Sequence, residues 1–156
     1  MDNLITNQLL ILKIENAQDL PLPSRKTDRS AGLDLYANIT KDILFYPGDI
    51  KSISAGIKLI IPKGYEIQIR PRSGLASEHG ITVLNSPGTI DEDYRGEIKV
   101  ILFNAGQSIF KLSRENRIAQ MIMSPIIYSE PIEIDKAVFD SSQTKRGENG
   151  FGSTGV

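Results

Sequence analysis

The sequence predicts an all-β domain of barrel or sandwich type, most simply a jelly roll. Three observations carry that expectation. Short runs of β-branched and aliphatic residues recur along the chain, Gly, Pro, Asn and Asp punctuate them at regular intervals, and helix-type patterning is confined to one short segment. At 156 residues the chain is long enough to bury one core without disulfide or metal staples.

The elements follow in order. LLILKI (9–14) is the first β-type run and gives way to a polar, proline-bearing stretch. In LDLYA (33–37), Leu33 and Leu35 share one face while Asp34 and Tyr36 share the other, so Asp34 reads as a solvent-facing strand residue. YPGD (46–49) reads as a turn, and IKSISAGIKLIIP (50–62) as a strand with a bulge at Gly56. YEIQIRP (65–71) sets Tyr65, Ile67 and Ile69 against Glu66, Gln68 and Arg70. ITVLNSPGTI (81–90) reads as a hairpin around Ser86-Pro87-Gly88, and EIKVILFN (97–104) and IAQMIMSPIIY (118–128) supply further strands. SGLASEHG (73–80) alone reads as a helix, with Ser73 as N-cap and Gly80 as its stop. The linker-like DSSQTKRGENG (140–150) separates a β domain, residues 1–140, from a flexible glycine-rich arm, residues 141–156.

Composition narrows the function classes. A net charge of −1 and a pI of about 5.9 leave no broad basic surface, so no nucleic-acid partner is expected. The absence of cysteine removes disulfides, cysteine-ligated zinc and thiol nucleophiles, and the single histidine, His79, removes histidine clusters. His79 itself reads as structural, placed where an imidazolium meets the open carbonyls of a helix end. The first apolar run is cut by Lys13 and Glu15, far short of a signal core or a membrane span. A soluble, cytoplasmic protein without membrane contacts is the expectation.

Five stretches are denser in Gly, Asp, Arg, Ser and Gln than a β core needs: AGLDLYA (31–37), RPRSGLA (70–76), GTIDEDYRG (88–96), RIAQM (117–121) and RGENGFGSTG (146–155). Singly, each has an ordinary structural reading; DEDYRG, for instance, could be a solvated turn with an Asp91–Arg95 pair. Jointly they describe phosphate chemistry. Arg72, Arg146 and the Ser73 hydroxyl suit phosphate oxygens. Asp34 and Gln120 suit the waters of Mg²⁺, a metal that binds largely through substrate phosphates and water. Asp91 and Asp93 offer carboxylates for activating a water, and Phe151 offers a ring for stacking on a base. No P-loop signature is present. Gly150 to Gly155 spell G-x-G-x-x-G, but that fingerprint must open a helix and only Val156 follows it, so a dinucleotide fold is not expected.

In this order the five stretches resemble the five motifs of the trimeric deoxyuridine triphosphatases (dUTPases), across residues 31–155. The resemblance implies a β-clip jelly roll that assembles as a homotrimer with shared active sites. It implies Mg²⁺-assisted hydrolysis of dUTP to dUMP and pyrophosphate, which keeps uracil out of DNA and supplies dUMP for thymidylate synthesis. Position by position, Asp91 matches the catalytic base and Tyr94 the ring that packs under the deoxyribose and excludes a 2′-hydroxyl; Asp93 matches no catalytic role. Asn85 matches the uracil contact, helped by the backbone of Thr89 and Ile90, with Lys99 nearby. Arg72, Ser73, Gly74 and Gln120 match phosphate contacts. Asp34 and Gln120 match groups that act on the metal through its waters, with no direct protein ligand. In the tail, Arg146 would approach the phosphates, Phe151 would stack on uracil, and Gly152, Ser153 and Thr154 would donate to the γ-phosphate.

The sequence departs from the closest family pattern at Asn149, where glycine is expected, and at Ala55, where Thr is common. Asn accepts positive φ more readily than most residues, so a turn at 149 survives. Of the competing readings, dCTP deaminase shares the fold, but its glutamate-centred motif is not evident. A non-catalytic nucleotide-sensing trimer would be signalled by loss of Asp91 or of the tail, and both are present.

Overall fold

The computed structural model describes residues 8–149. The chain divides into two compact units, Met1–Ile126 and Ile127–Val156.

The first unit is built almost wholly from antiparallel strands. They are β1 (Leu10–Lys13), β2 (Leu33–Tyr36), β3 (Ile43–Phe45), β4 (Ile50–Ile60), β5 (Tyr65–Arg70), β6 (Ile81–Val83), β7 (Gly88–Ile90), β8 (Glu97–Asn104), β9 (Phe110–Leu112) and β10 (Arg117–Pro125). One four-stranded sheet runs β1-β4-β8-β6, a second runs β2-β10-β5-β7, and β3 pairs with β9. The expected all-β, jelly-roll-like class is therefore what the chain forms.

Period-two patterning explains the core. Along β8, Ile98, Val100, Leu102 and Asn104 turn inward while Glu97 and Lys99 turn out. Leu35, Phe45, Ile67, Ile69, Ile118 and Met121 meet them from other strands. The inward Asn104 is fully enclosed but satisfied: its amide donates to the Phe45 and Ser108 carbonyls, each at 2.9 Å, and its oxygen accepts from Gly106 N at 2.9 Å.

The bulge expected at Gly56 is present. Gly56 has φ of +70°, and the β4–β8 register slips between Ser54 and Lys58. A side chain there would strike Ala17 and Asn38, so close approach and positive φ both require glycine.

The chain forms a helix, α1 (Ser73–His79), where one is expected, and Gly80 ends it in the left-handed region at φ 69°. Two local expectations are corrected. The N-cap is Arg72, in extended conformation with no side-chain cap bond, so Ser73 is the first helical residue rather than the cap. The 81–90 segment is not a hairpin: β6 pairs with β8 in one sheet, and β7 with β5 in the other. Residues 84–87 form a corner that passes from sheet to sheet, because both flanking strands find longer partners elsewhere.

The second unit, described to residue 149, contains a short helix, α2 (Lys136–Ser141), that was not anticipated. Asp135 caps it by accepting from Val138 N at 2.9 Å, and Lys136 pairs with Asp140 one turn on. Beyond it, Gly147 takes positive φ and bonds back to the Thr144 carbonyl at 3.1 Å; Asn149 does not adopt positive φ.

Candidate active site

The candidate residues of the first unit form two groups, on and beside the sheet β2-β10-β5-β7. Strand register sets the first. Gln120 on β10 faces Asp34 on β2 and Arg70 on β5, so one cross-strand row spans three strands. Arg72 follows directly from β5.

Asp34 is only 9% exposed, not solvent-facing as the alternation suggested. The segment at Ser24 bridges the outer edge of β2, with Asp34 N donating to the Ser24 carbonyl at 3.1 Å. One Asp34 oxygen lies 3.5 Å from Arg72 Nε and the other accepts from Arg117 Nη1 at 3.0 Å. Arg72 Nη1 in turn donates to the Arg117 carbonyl at 2.9 Å, and Gln120 Nε2 donates to the Pro71 carbonyl at 3.0 Å. The carboxylate thus orders two guanidiniums while keeping spare lone pairs. Ser73 and Gly74 are exposed at the adjoining start of α1.

Arg117 was missed as a site residue, although it opens the RIAQM stretch. Together with Lys26, Tyr36 and Arg72 it lines an open groove of about 630 Å³. Its register opposite Tyr36, invisible without the sheet, is what brings it to Asp34.

The second group surrounds the sheet-crossing corner. Asn85 is exposed, its amide passes over the backbone of Gly88, and it has no protein hydrogen bond among the described residues. Leu84 N donates to Ile101 O at 2.9 Å, which carries the corner along β8 toward exposed Lys99. Strand β7 is the edge of its sheet, so one side of the Thr89–Ile90 backbone is unpaired by β5. Thr89 is exposed opposite Gln68, and Ile90 packs against the core opposite Ile67.

Asp91 follows at the end of β7. It is exposed and has no side-chain partner among the described residues, in contrast to Asp34. Its loop is fixed three ways: Tyr94 N donates to the Asp91 carbonyl at 3.1 Å, Gly64 N donates to Glu92 Oε2 at 2.8 Å, and Arg95 donates to the Glu92 and Tyr94 carbonyls at 2.6 and 2.9 Å. Arg95 serves the turn's carbonyls instead of pairing with Asp91. Tyr94 is 43% exposed and its hydroxyl donates to the Glu97 carbonyl at 3.1 Å.

Register also keeps the two groups apart. Gln120 faces Arg70, whereas Ile90, just before Asp91, faces Ile67. Asp91 therefore lies at the Glu66 end of the sheet, four residues from the Arg70 row, or about 13 Å at the usual strand rise. Within one chain the two groups do not meet.

His79 ends α1 with its ring 5.1 Å from that of Phe110, and both line the groove that holds Arg72 and Arg117. Arg146 lies in the second unit, where Nε donates to the Asn149 carbonyl at 2.9 Å. Phe151, Gly152, Ser153 and Thr154 lie outside the described residues.

The dUTPase family model matches residues 18–155. The chain belongs to the dUTPase family. Among relatives named deoxyuridine 5'-triphosphate nucleotidohydrolase, that of Ehrlichia canis (strain Jake) is 51% identical over 90% of this chain and 91% of its own. That of Thermoanaerobacter sp. (strain X514) is 49% identical over 95% of this chain and 97% of its own. Among solved structures, the dUTPase of Staphylococcus bacteriophage 80alpha with dUPNHPP superposes with a TM-score of 0.83 over 97% of this chain and all of that one. At 23% identity that likeness speaks for the dUTPase fold alone.

Proposed function

We propose that the chain hydrolyses dUTP to dUMP and pyrophosphate, with Asp91 as the base. The observation that carries this reading is the contrast between the two carboxylates of the family motifs. Asp34 is committed to two arginines, whereas Asp91 is exposed, without a protein partner among the described residues, on a loop fixed at three points. A carboxylate held in that way can orient a water and accept its proton as the oxygen attacks the α-phosphorus in line. The bond from the α-phosphorus to the bridging oxygen breaks, and pyrophosphate leaves.

The uncommitted Asn85 amide and the unpaired edge of β7 supply donors and acceptors for a uracil edge. Tyr94 supplies a wall beneath the sugar, and Lys99 stands beside the corner. Arg72, Ser73, Gly74 and Gln120 would take the phosphates, with Arg117 joining them. The tail, through Arg146, Phe151, Gly152, Ser153 and Thr154, would close on bound nucleotide as an arm of residues 141–156.

The donor set suits Mg²⁺. Among the described residues no three Asp, Glu, His or Cys side chains gather at metal-binding spacing. That fits an ion held by phosphate oxygens and waters, with Asp34 and Gln120 receiving the waters. Bound through the triphosphate, the ion would neutralise phosphate charge.

The half-sites about 13 Å apart support a shared site, because a water bridging Asp91 to a phosphate must lie within about 3.5 Å of the reacting atom. A second copy supplies the missing half, and a homotrimer is the assembly proposed. No helix among the described residues is long and apolar enough to cross a membrane. A cytoplasmic location, without nucleic-acid partners, remains part of the proposal on composition.

The test is pyrophosphate release from dUTP, dTTP, dCTP and UTP, with and without Mg²⁺. Fast, Mg²⁺-dependent turnover of dUTP alone is expected. Turnover of dUTP no faster than of dTTP overturns the reading, and ammonia release from dCTP would replace it with a deaminase.

A further inference from the structure

The ring of Tyr94 does not stand in open space. It lies over the backbone of Gly96, and the three atoms nearest to a Cβ built on Gly96 all belong to Tyr94: its hydroxyl oxygen, its Cζ and one ring carbon. That Cβ would fall well inside the van der Waals envelope of the ring. Gly96 does not have positive φ, so backbone strain does not explain glycine there. What glycine provides at 96 is a floor without a side chain.

The same ring is clamped at its far end, where the hydroxyl donates to the Glu97 carbonyl at 3.1 Å. Glu97 opens β8 opposite Lys58, just past the place where the β4–β8 ladder slips around the bulge. A side-chain network adds to that pairing. The Ser54 hydroxyl donates to the Glu97 carboxylate, and accepts from Gly56 N at 3.0 Å and from Asn38 Nδ2 at 3.2 Å. Asn38 Oδ1 in turn accepts from Arg114 Nη1 at 2.9 Å. The contacts run from Arg114 through buried Asn38 and then Ser54 to the Glu97 carboxylate, on the residue whose carbonyl holds the phenol.

We infer that Gly96 and Glu97, braced by Ser54, form a seat that fixes the height and tilt of the Tyr94 ring, and that this seat sets the discrimination between deoxyribose and ribose triphosphates. The inference rests on the reading of Tyr94 as the wall beneath the sugar. A wall rejects one extra hydroxyl only if it cannot retreat; a ring free to swing about its first side-chain torsion would yield to a 2′-hydroxyl at little cost. The floor at Gly96 and the clamp at Glu97 both oppose that retreat. Gly96, Glu97 and Ser54 are positioning residues, since they act through Tyr94.

The experiment compares kcat/KM for dUTP, UTP and dTTP in Gly96→Ala, Tyr94→Phe, Tyr94→Ala and the parent protein. Gly96→Ala displaces the ring, and Tyr94→Phe keeps the ring but removes the clamp. Each is expected to raise the UTP/dUTP ratio, Gly96→Ala by about tenfold or more. The dTTP/dUTP ratio should stay within about twofold, because the base is read at the separate Asn85 corner. That split between sugar and base distinguishes a seat from a general loosening, which would relax both. Should Tyr94→Ala relax the sugar preference while Gly96→Ala and Tyr94→Phe leave it unchanged, the seat is wrong and the wall stands. Unchanged preference in all three variants overturns the wall, and the seat with it. Because alanine suits the backbone at 96 and Tyr94→Phe removes one exposed hydroxyl, folded protein is expected from both, checked by thermal melting.

Discussion

At the scale of single residues, the two family aspartates make opposite bargains with their surroundings. Asp34 gives its charge to Arg72 and Arg117, and Asp91 gives its charge to no protein group among those described. Asp91→Asn should therefore cost about 10²- to 10⁴-fold in kcat and shift the unfolding free energy by no more than about 0.5 kcal/mol. Steady-state kinetics and a urea titration on the same preparation check both halves. Residue type alone left Asp91 level with Asp93, and the resemblance of GTIDEDYRG to the family motif singled it out. The true setting of Asp34 was not legible in the sequence. Alternation told which residues share its face, but not that Arg72 and Arg117 close on the carboxylate there. Arg117 was lost for the same reason, since only cross-strand register brings it to Asp34.

At the scale of elements, the long strands were readable and the joints were not. Strands β4, β5, β8 and β10 carry their alternation and turn signals openly. The corner 84–87 was misread because adjacency in sequence suggested pairing, while β8 and β5 offered each flank a longer partner. Helix α2 was overlooked although Asp135 is a good N-cap and Lys136–Asp140 a helical ion pair; six residues are too few for a periodic signal.

Arg114, between β9 and β10, holds one such joint. It donates to both Asp19 oxygens, at 3.0 and 2.6 Å, to the Asn16 carbonyl at 2.9 Å and to Asn38 and Ile39. Its hydrogen bond holds the Asp19 carboxyl below the ordinary carboxylate value. A group whose folded pKa is lowered adds stability above its unfolded pKa and loses it as pH falls through the folded one. The parent protein should thus lose more stability than Arg114→Met as pH falls from about 5 through the unfolded value near 3.9 and below. Asp42, held by Lys111, and Asp49, held by Lys51, shift in the same direction in both proteins and cancel in the comparison. Denaturant midpoints taken across that range check it; parallel curves would remove Arg114 as the cause.

At the scale of the whole molecule, the separation of the half-sites dictates the assembly test. Co-folding equal amounts of two inactive chains, Asp91→Asn and Arg72→Gln, should restore about a quarter of parental activity. In the proposed assembly each shared site draws its halves from two chains, and half of each kind are intact. A site completed within one chain would leave the mixture inactive. The same separation bears on how such sequences change over generations. In the proposed assembly, selection for turnover would act on Asp91 and Gln120 as neighbours, although the fold of a single chain holds them far apart. Paired substitutions accumulated by this lineage would then trace a contact map that no isolated subunit can satisfy, and the misfit would itself draw the interface.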